Sequence, residues 1–219
     1  MRQIVLFGIR SPLAVEYEET CRRTGIAVPF AVSVDGAPRL ATTTIIRKLD
    51  EIEHNHLKVA CISCAFSPVR RRILVAAALE ARFTIAAALV DVAAIVAGST
   101  HIGAGSYINA GCVMGAYSLI GEHVVLNRCS SVGHHGALAN YVSIGPGVTL
   151  AGNVRIGEGS VIGAGSTVLP DLRVGAGAIV AAGSVVRSHV PDGVFVAGNP
   201  AVSRPYNFDK SSLNLPDAE

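Results

Sequence analysis

From Val90 to Val186 every sixth residue is aliphatic. The series runs Val90, Val96, Ile102, Ile108, Met114, Ile120 and on through Val174, Val180 and Val186, seventeen positions without a break. Independent hits at that rate have a probability on the order of 10⁻⁹, so choice of phase does not explain the pattern. The residue after each aliphatic one is mostly small or Asn, as at Gly103, Asn109, Gly121, Asn127 and Gly163. The fifth position is often Ser or Val, as at Ser106, Val124, Val148 and Ser166. The fourth holds Gly105, Gly111, Gly147, Gly159, Gly165, Gly177 and Gly183, and elsewhere His123, His135, Asn153 and Asp171. Those are the residue types that best tolerate positive φ. Each hexad therefore predicts a short strand, with its first and fifth residues pointing inward, followed by a left-handed corner. Three such sides close a triangular coil of eighteen residues. The segment holds about five coils, which stack at the ~4.8 Å spacing of paired strands into a parallel β-helix.

The first 88 residues follow a different pattern. Ile4–Phe7, Ile26–Val34 and Val59–Cys64 read as strands, with Phe83–Ala87 as a fourth leading into the repeat. Pro12–Thr24 reads as a helix with Ser11 as its N-cap, Thr43–His54 as a second, and Ser67–Pro68 opens a third that runs to Glu80. Strand and helix alternate, which predicts a small three-layer α/β domain on a parallel sheet. The expected division is 1–88 for this domain, 89–203 for the β-helix and its closing strand Val194–Ala201, and 204–219 for a polar tail.

Composition narrows the function. Half of the 219 residues are hydrophobic, 16% are charged and the net charge is +2. That excludes a disordered chain and leaves no basic excess for nucleic acid. Aromatics make up 5% and Trp is absent, which fits a narrow core of small aliphatic side chains. The apolar stretch Phe83–Ala97 is broken by Asp91 and is too short to span a bilayer. The N-terminal apolar run is too short for the core of a signal peptide. Five cysteines without framework spacing fit a reducing cytoplasm. Cys61 and Cys64 match C-x-x-C, but they lie inside an apolar run and read as strand residues. His54 and His56 lie two apart on the expected helix and face different directions, so they read as a solvated surface.

Taken together, these features resemble the bacterial nucleotide-aminosugar N-acetyltransferases and their relatives, the sialic acid O-acetyltransferases. The closing Gly198-Asn199-Pro200-Ala201 matches that family's ending, and the resemblance covers roughly residues 1–203. It implies a left-handed β-helix carrying a Rossmann-like N-terminal domain, acetyl-CoA as co-substrate, a nucleotide-linked amino-sugar as acceptor, and a homotrimer. The stretch Asn127 to His135 aligns with the family's catalytic segment. His134 falls on the general base, His135 replaces the acidic residue that usually follows it, and Asn127 matches a site Asn. Ser143 stands where relatives carry a second His near the thioester. By the same carry-over Ser143, Ala164 and Ala182 line the acetyl-CoA groove, and Gly8, Arg10, Ser11 and Asp35 belong to the acceptor site. The turn Gly8-Ile9-Arg10-Ser11-Pro12 lacks the family's further glycines, which leave backbone amides free to approach phosphate at a helix start. Arg10 supplies charge in their place.

Each histidine also has a plainer explanation. His123 and His135 occupy corner positions that accept His for conformational reasons. His134, at the third position, needs no positive φ, and its plainer explanation is an outward-facing surface residue. A zinc centre is not expected, since adjacent His134 and His135 do not easily place both rings on one metal. Two other functions fit the same fold: acyl transfer to a sugar hydroxyl, and a non-catalytic trimeric binding module.

Overall fold

A computed structural model describes residues 2–40 and 44–205. The repeat folds as its period requires. Two-residue strands pair in parallel with the strand eighteen residues on: Ile120 with Leu138, Ile144 with Ile162, Val168 with Val186. Three parallel faces result. Face one carries His101–Ile102, Leu119–Ile120, Ala137–Leu138, Arg155–Ile156 and Arg173–Val174. Face two runs from Leu89–Val90 through Tyr107–Ile108, Val125–Leu126, Ser143–Ile144, Val161–Ile162 and Ile179–Val180 to the closing Phe195–Ala197 and Val202–Ser203. Face three carries Ile95–Val96, Val113–Met114, Ser131–Val132, Thr149–Leu150, Thr167–Val168 and Val185–Val186. Hexapeptide repeats on three parallel faces fit the left-handed β-helix of the acetyltransferases.

The aliphatic first positions from Ile108 to Val186 are buried and form one continuous core. Burying each such side chain stabilises the fold by roughly 1.5–3 kcal/mol. The fifth positions lie between them, so Ser106, Cys112, Val124, Val148 and Ser166 are wholly inaccessible. The buried hydroxyls are satisfied by backbone carbonyls: Ser106 donates to Gly121 O and Ser166 to Ala181 O. Every expected left-handed corner has positive φ. So do Tyr117, Cys129 and Tyr141, which sit at the same position in the repeat but carry bulkier side chains. A non-glycine residue there costs about 1–2 kcal/mol, so contacts made by these side chains must offset it.

Before the helix lies a four-stranded parallel sheet: β1 (Val5–Phe7), β2 (Ala31–Ser33), β3 (Ile46–Lys48) and β4 (Cys61–Ser63), in the order β3-β2-β1-β4. Alternation divides its side chains between two clusters. Leu6, Ala31 and Ile62 pack on α1 (Ala14–Arg23) through Ala14, Tyr17 and Cys21. Val5, Phe7, Val32 and Cys61 pack on α2 (Pro68–Glu80) through Leu74 and Ala78. The α1 cluster continues into Leu89, Tyr107 and Val125 on face two, where Tyr17 and Tyr107 stack with centroids 3.8 Å apart.

Several expectations change. Thr43, where a helix to His54 is expected to start, lies outside the described residues, and from Thr44 on that helix does not form: Ile46–Lys48 forms β3, followed by short 3₁₀ turns at Leu49–Glu51 and His54–Lys58. The β-branched run Thr44-Ile45-Ile46 favours a strand, and the edge of β2 accepts one. His56 therefore packs half-buried against Phe30, and its Nδ1 accepts the Glu53 amide. Phe83–Ala87 contributes one bridge, Ile85 to Cys61, in place of a strand. Ser11 does not cap α1, whose first residue is Ala14; its hydroxyl instead accepts the Leu13 amide. Ser67 does cap α2. The expected tail lies outside the described residues from 206 onward. Cys61 and Cys64 are buried free thiols, and burial pushes that of Cys61 up to about 12. No helix among the described residues is long and apolar enough to cross a membrane.

His123, at the corner between faces one and two, is buried, and its Nδ1 has no hydrogen-bond partner among the described residues. Burial lowers its pKa; Glu122 opposes that shift and Arg71 adds to it. The unfolded chain then takes up a proton first as pH falls below about 6.5, so the folded state loses stability between that value and the lower folded one. Replacing His123 with Asn keeps a residue that tolerates the left-handed corner. The thermal midpoint of His123→Asn should fall less between pH 6.5 and 5 than that of the unaltered protein. Parallel midpoint curves would exclude this role for His123.

Candidate active site

The three corners of the prism hold different chemistry. His134 and His135 stand at the corner between faces three and one, both exposed. His135 has φ 58°. Its ring stacks on Tyr117, one coil earlier, at 5.4 Å, and its Nδ1 lies 3.1 Å from Nδ1 of His134. Two N–H groups cannot point at each other across that gap, so one ring donates and the other accepts. When His134 donates from Nδ1, its Nε2 carries the free lone pair. The His134 ring rests on Gly152, one coil later: a β-carbon there would lie 2.6 Å from Nε2 and 2.7 Å from Cε1.

Asn127, Ala164 and Ala182 occupy the corner between faces two and three. Asn127 Oδ1 accepts from Asn109 Nδ2 at 3.1 Å and from the Arg128 amide at 2.8 Å. Ala164 and Ala182 stack one above the other, both exposed. Within one chain, therefore, His134 and Asn127 do not meet, because face three separates them.

Ser143 departs from expectation. It lies on face two and is completely inaccessible. Its hydroxyl donates to Phe66 O at 2.5 Å and accepts from Arg71 Nη2 at 3.0 Å. A side chain enclosed beneath α2 does not line an open groove, so Ser143 is part of the packing between the sheet unit and the β-helix. Arg71 itself is fully buried, and among the described residues its hydrogen bonds go to carbonyl and hydroxyl oxygens, not to a carboxylate. Burial lowers its pKa to about 10, so it keeps its charge at neutral pH.

Gly8, Arg10, Ser11 and Asp35 do gather. All lie beyond the C-terminal ends of β1 and β2, the edge at which parallel sheets bind ligands. Gly8 has φ 78°. The Arg10 stem covers Gly36, where a β-carbon would lie 2.7 Å from its Cδ. Arg70 pairs with Asp35. Beside them a depression of about 580 Å³ is lined by Ser33, Asp35, Gly36, Lys48 and Asp50. Among the described residues no group of three or more His, Cys, Asp or Glu side chains is arranged to hold a metal ion.

Gly152, Tyr117 and Arg71 are not among the residues the sequence points to. A signal existed for the first two, since each lies eighteen residues from a member of the His pair. Arg71 had none, because its contacts arise from the docking of two separate units.

The profile of the bacterial transferase hexapeptide family (six repeats) matches residues 138–170 and 153–188. Those residues lie within the stacked coils of the three-faced prism, so the chain is similar to the hexapeptide acyltransferases over that part of its length. The particular likeness is to nucleotide-aminosugar N-acetyltransferases. A histidine mutant of perosamine N-acetyltransferase from Caulobacter crescentus, in complex with CoA and GDP-perosamine, is 25% identical with a TM-score of 0.84, over 94% of this chain and 98% of that one. The acetyltransferase domain of PglB from Neisseria gonorrhoeae FA1090, in complex with acetyl coenzyme A, is 28% identical with a TM-score of 0.82, over 93% and 99%. WeeI from Acinetobacter baumannii AYE, at 24% identity and a TM-score of 0.81 over 93% and 100%, shares the fold. No curated protein matches the chain by sequence.

Proposed function

We propose that the protein transfers the acetyl group of acetyl-CoA to the amino group of a nucleotide-linked amino-sugar in the cytoplasm. The observation that carries this reading is the end-to-end likeness to an N-acetyltransferase in complex with both CoA and GDP-perosamine, which spans the sheet unit as well as the β-helix. In this reading residues 1–88 form a Rossmann-like acceptor domain. Gly8, Arg10, Ser11 and Asp35 receive the nucleotide-sugar at the sheet edge. Residues 89–203 hold the donor, with Ala164 and Ala182 along the pantetheine.

The acceptor amine attacks the thioester carbonyl and His134 Nε2 takes the proton that the nitrogen sheds. Collapse of the tetrahedral intermediate breaks the C–S bond. The proton passes to the departing sulfur, leaving an amide and free CoA. Backbone amides of the coil stabilise the oxyanion. His135 orients His134 through the Nδ1 contact.

The site is completed by a second copy. Among the described residues face three contributes nothing to the clusters that pack the sheet unit on the β-helix, and it presents Ile95 and Val113, 68% and 42% exposed, above Ser131, Thr149, Thr167 and Val185. Three copies turning this apolar and small-residue face to a common axis bury it. Each His134 corner then meets the Asn127, Ala164 and Ala182 corner of the next copy, which joins the two half-sites separated within one chain.

Acetyl-CoA incubated with a panel of nucleotide amino-sugars should yield amide product and stoichiometric free thiol. Light scattering should give three times the 22.6 kDa chain mass. Absence of turnover on every amino-sugar would overturn the activity, and a 22.6 kDa particle at micromolar concentration would overturn the shared site.

A further inference from the structure

Three successive arginines open α2, and each leaves the helix toward a different part of the molecule. Arg70 pairs with Asp35 at the sheet edge. Arg72 lies over the Tyr141 ring, 4.2 Å from its centroid, and reaches Glu158 at 2.6 Å. Arg71 turns inward. Its Nη1 donates to Ala65 O and Phe66 O at 2.7 and 2.8 Å, on the loop that joins β4 to α2. Its Nε donates to His123 O at 2.6 Å. Its Nη2 reaches Tyr141 O at 2.8 Å, Val142 O at 3.1 Å and the Ser143 hydroxyl at 3.0 Å. One planar fork thus ties the loop to two successive coils of the β-helix.

Those two coils are unusual at this corner. Gly105, Gly159 and Gly177 hold the left-handed position above and below, but His123 and Tyr141 hold it here, with their rings stacked at 4.9 Å. The bulky corners and the buried guanidinium occur together, facing α2. A buried charge without a carboxylate is retained only where every donor is matched, and the carbonyls that match Arg71 come from both units.

We infer that Arg71 is a positioning residue: it sets the angle between the acceptor-binding sheet edge and the donor-binding β-helix. Through the neighbouring Arg70–Asp35 pair, the same turn of helix anchors the acceptor site itself. This rests on the division of labour proposed above. Neither half-site includes Arg71, so losing the fork leaves both substrates bound but misaligned. Lysine keeps the charge and the stem but not the planar array of donors.

The test is Arg71→Lys in the full-length protein, read by steady-state kinetics, CoA binding and amide hydrogen exchange. A misplacement on the order of 1 Å at the reacting atoms costs roughly 10²-fold. Turnover should therefore fall about 10- to 100-fold, while both KM values and the CoA Kd stay within about twofold. Exchange should quicken at Phe66–Arg72 and Tyr141–Ser143. Unchanged kcat, or a loss confined to the acceptor KM, overturns the inference. Should Arg71→Lys fail to fold, Arg72→Gln cuts the solvent-facing tie beside it. A smaller fall in kcat with unchanged KM supports the strut, and an unchanged kcat overturns it. If the unaltered enzyme acetylates no amino-sugar, the acetyltransferase reading fails on its own. Hydrogen exchange then decides the strut, and unaltered exchange in Arg71→Lys overturns it.

Discussion

His134→Ala is expected to lower kcat by about 10²–10⁴ while leaving CoA affinity nearly intact. The size follows from what is removed. Alanine takes away the Nε2 assigned to accept the amine's proton as the C–N bond forms. The fold should not suffer, because His134 is exposed and sits at a corner position that needs no left-handed residue. His135 has a different role. Its φ of 58° and its stacking on Tyr117 fix the ring, and its Nδ1 faces that of His134 at 3.1 Å. Asn tolerates the same corner and offers a carbonyl oxygen to His134 Nδ1–H, so His135→Asn should keep turnover within about tenfold. His135→Ala loses both the corner preference and the partner, and should fall further. Stopped-time assays on the three variants check the ranking. Near-normal turnover in His134→Ala, or greater damage from His135→Asn, sinks the assignment of the base.

The repeat was legible because its physics is local and periodic. A left-handed corner every six residues restricts the fourth position to Gly, Asn, Asp or His, and an enclosed core restricts the first and fifth. Tyr117, Cys129 and Tyr141 escaped that reading because their cost is offset by contacts with other coils or with α2, as in the stacking of Tyr141 on His123 and beneath Arg72. The strand at Ile46–Lys48 departs from the expected helix for a related reason: its β-branched residues favour extension, but only the open edge of β2 decides the outcome.

The placement of the candidate site residues is only partly legible in the sequence. Sequence alignment with the family carries residue identities but not which corner of the prism each occupies. Asn127 and His134 are seven residues apart in the chain, yet one side of the triangle separates them. Ser143 shows the limit most plainly. At the sixth position of its hexad it points outward, which on a bare β-helix means exposure to a groove. Here α2 covers it, and Arg71 and Phe66 hold its hydroxyl. The docking of one unit on another removed that position from the surface, and nothing in the periodicity marks where such docking falls.

Gly152→Ala should reduce turnover about 10- to 100-fold with little loss of stability. Gly152 lies at the third position of its hexad and has no positive φ, so alanine costs nothing in backbone conformation. Alanine also removes the glycine's extra freedom in the unfolded chain. What alanine does bring is a methyl group 2.6 Å from Nε2 and 2.7 Å from Cε1 of His134, well inside van der Waals contact. The coil backbone is fixed on both sides: the Asn153 amide donates to His134 O at 2.8 Å and the Asp171 amide to Gly152 O at 3.1 Å. The exposed imidazole is the part that yields. It swings outward, loses the Nδ1 contact with His135 and carries Nε2 away from the attacking nitrogen. The expected signature is a fall in kcat with the thermal midpoint and the CoA Kd unchanged. A crystal structure of the variant should show the ring displaced. Full activity in Gly152→Ala would mean that Nε2 need not sit where the structure places it, and the proton would have to leave by another route.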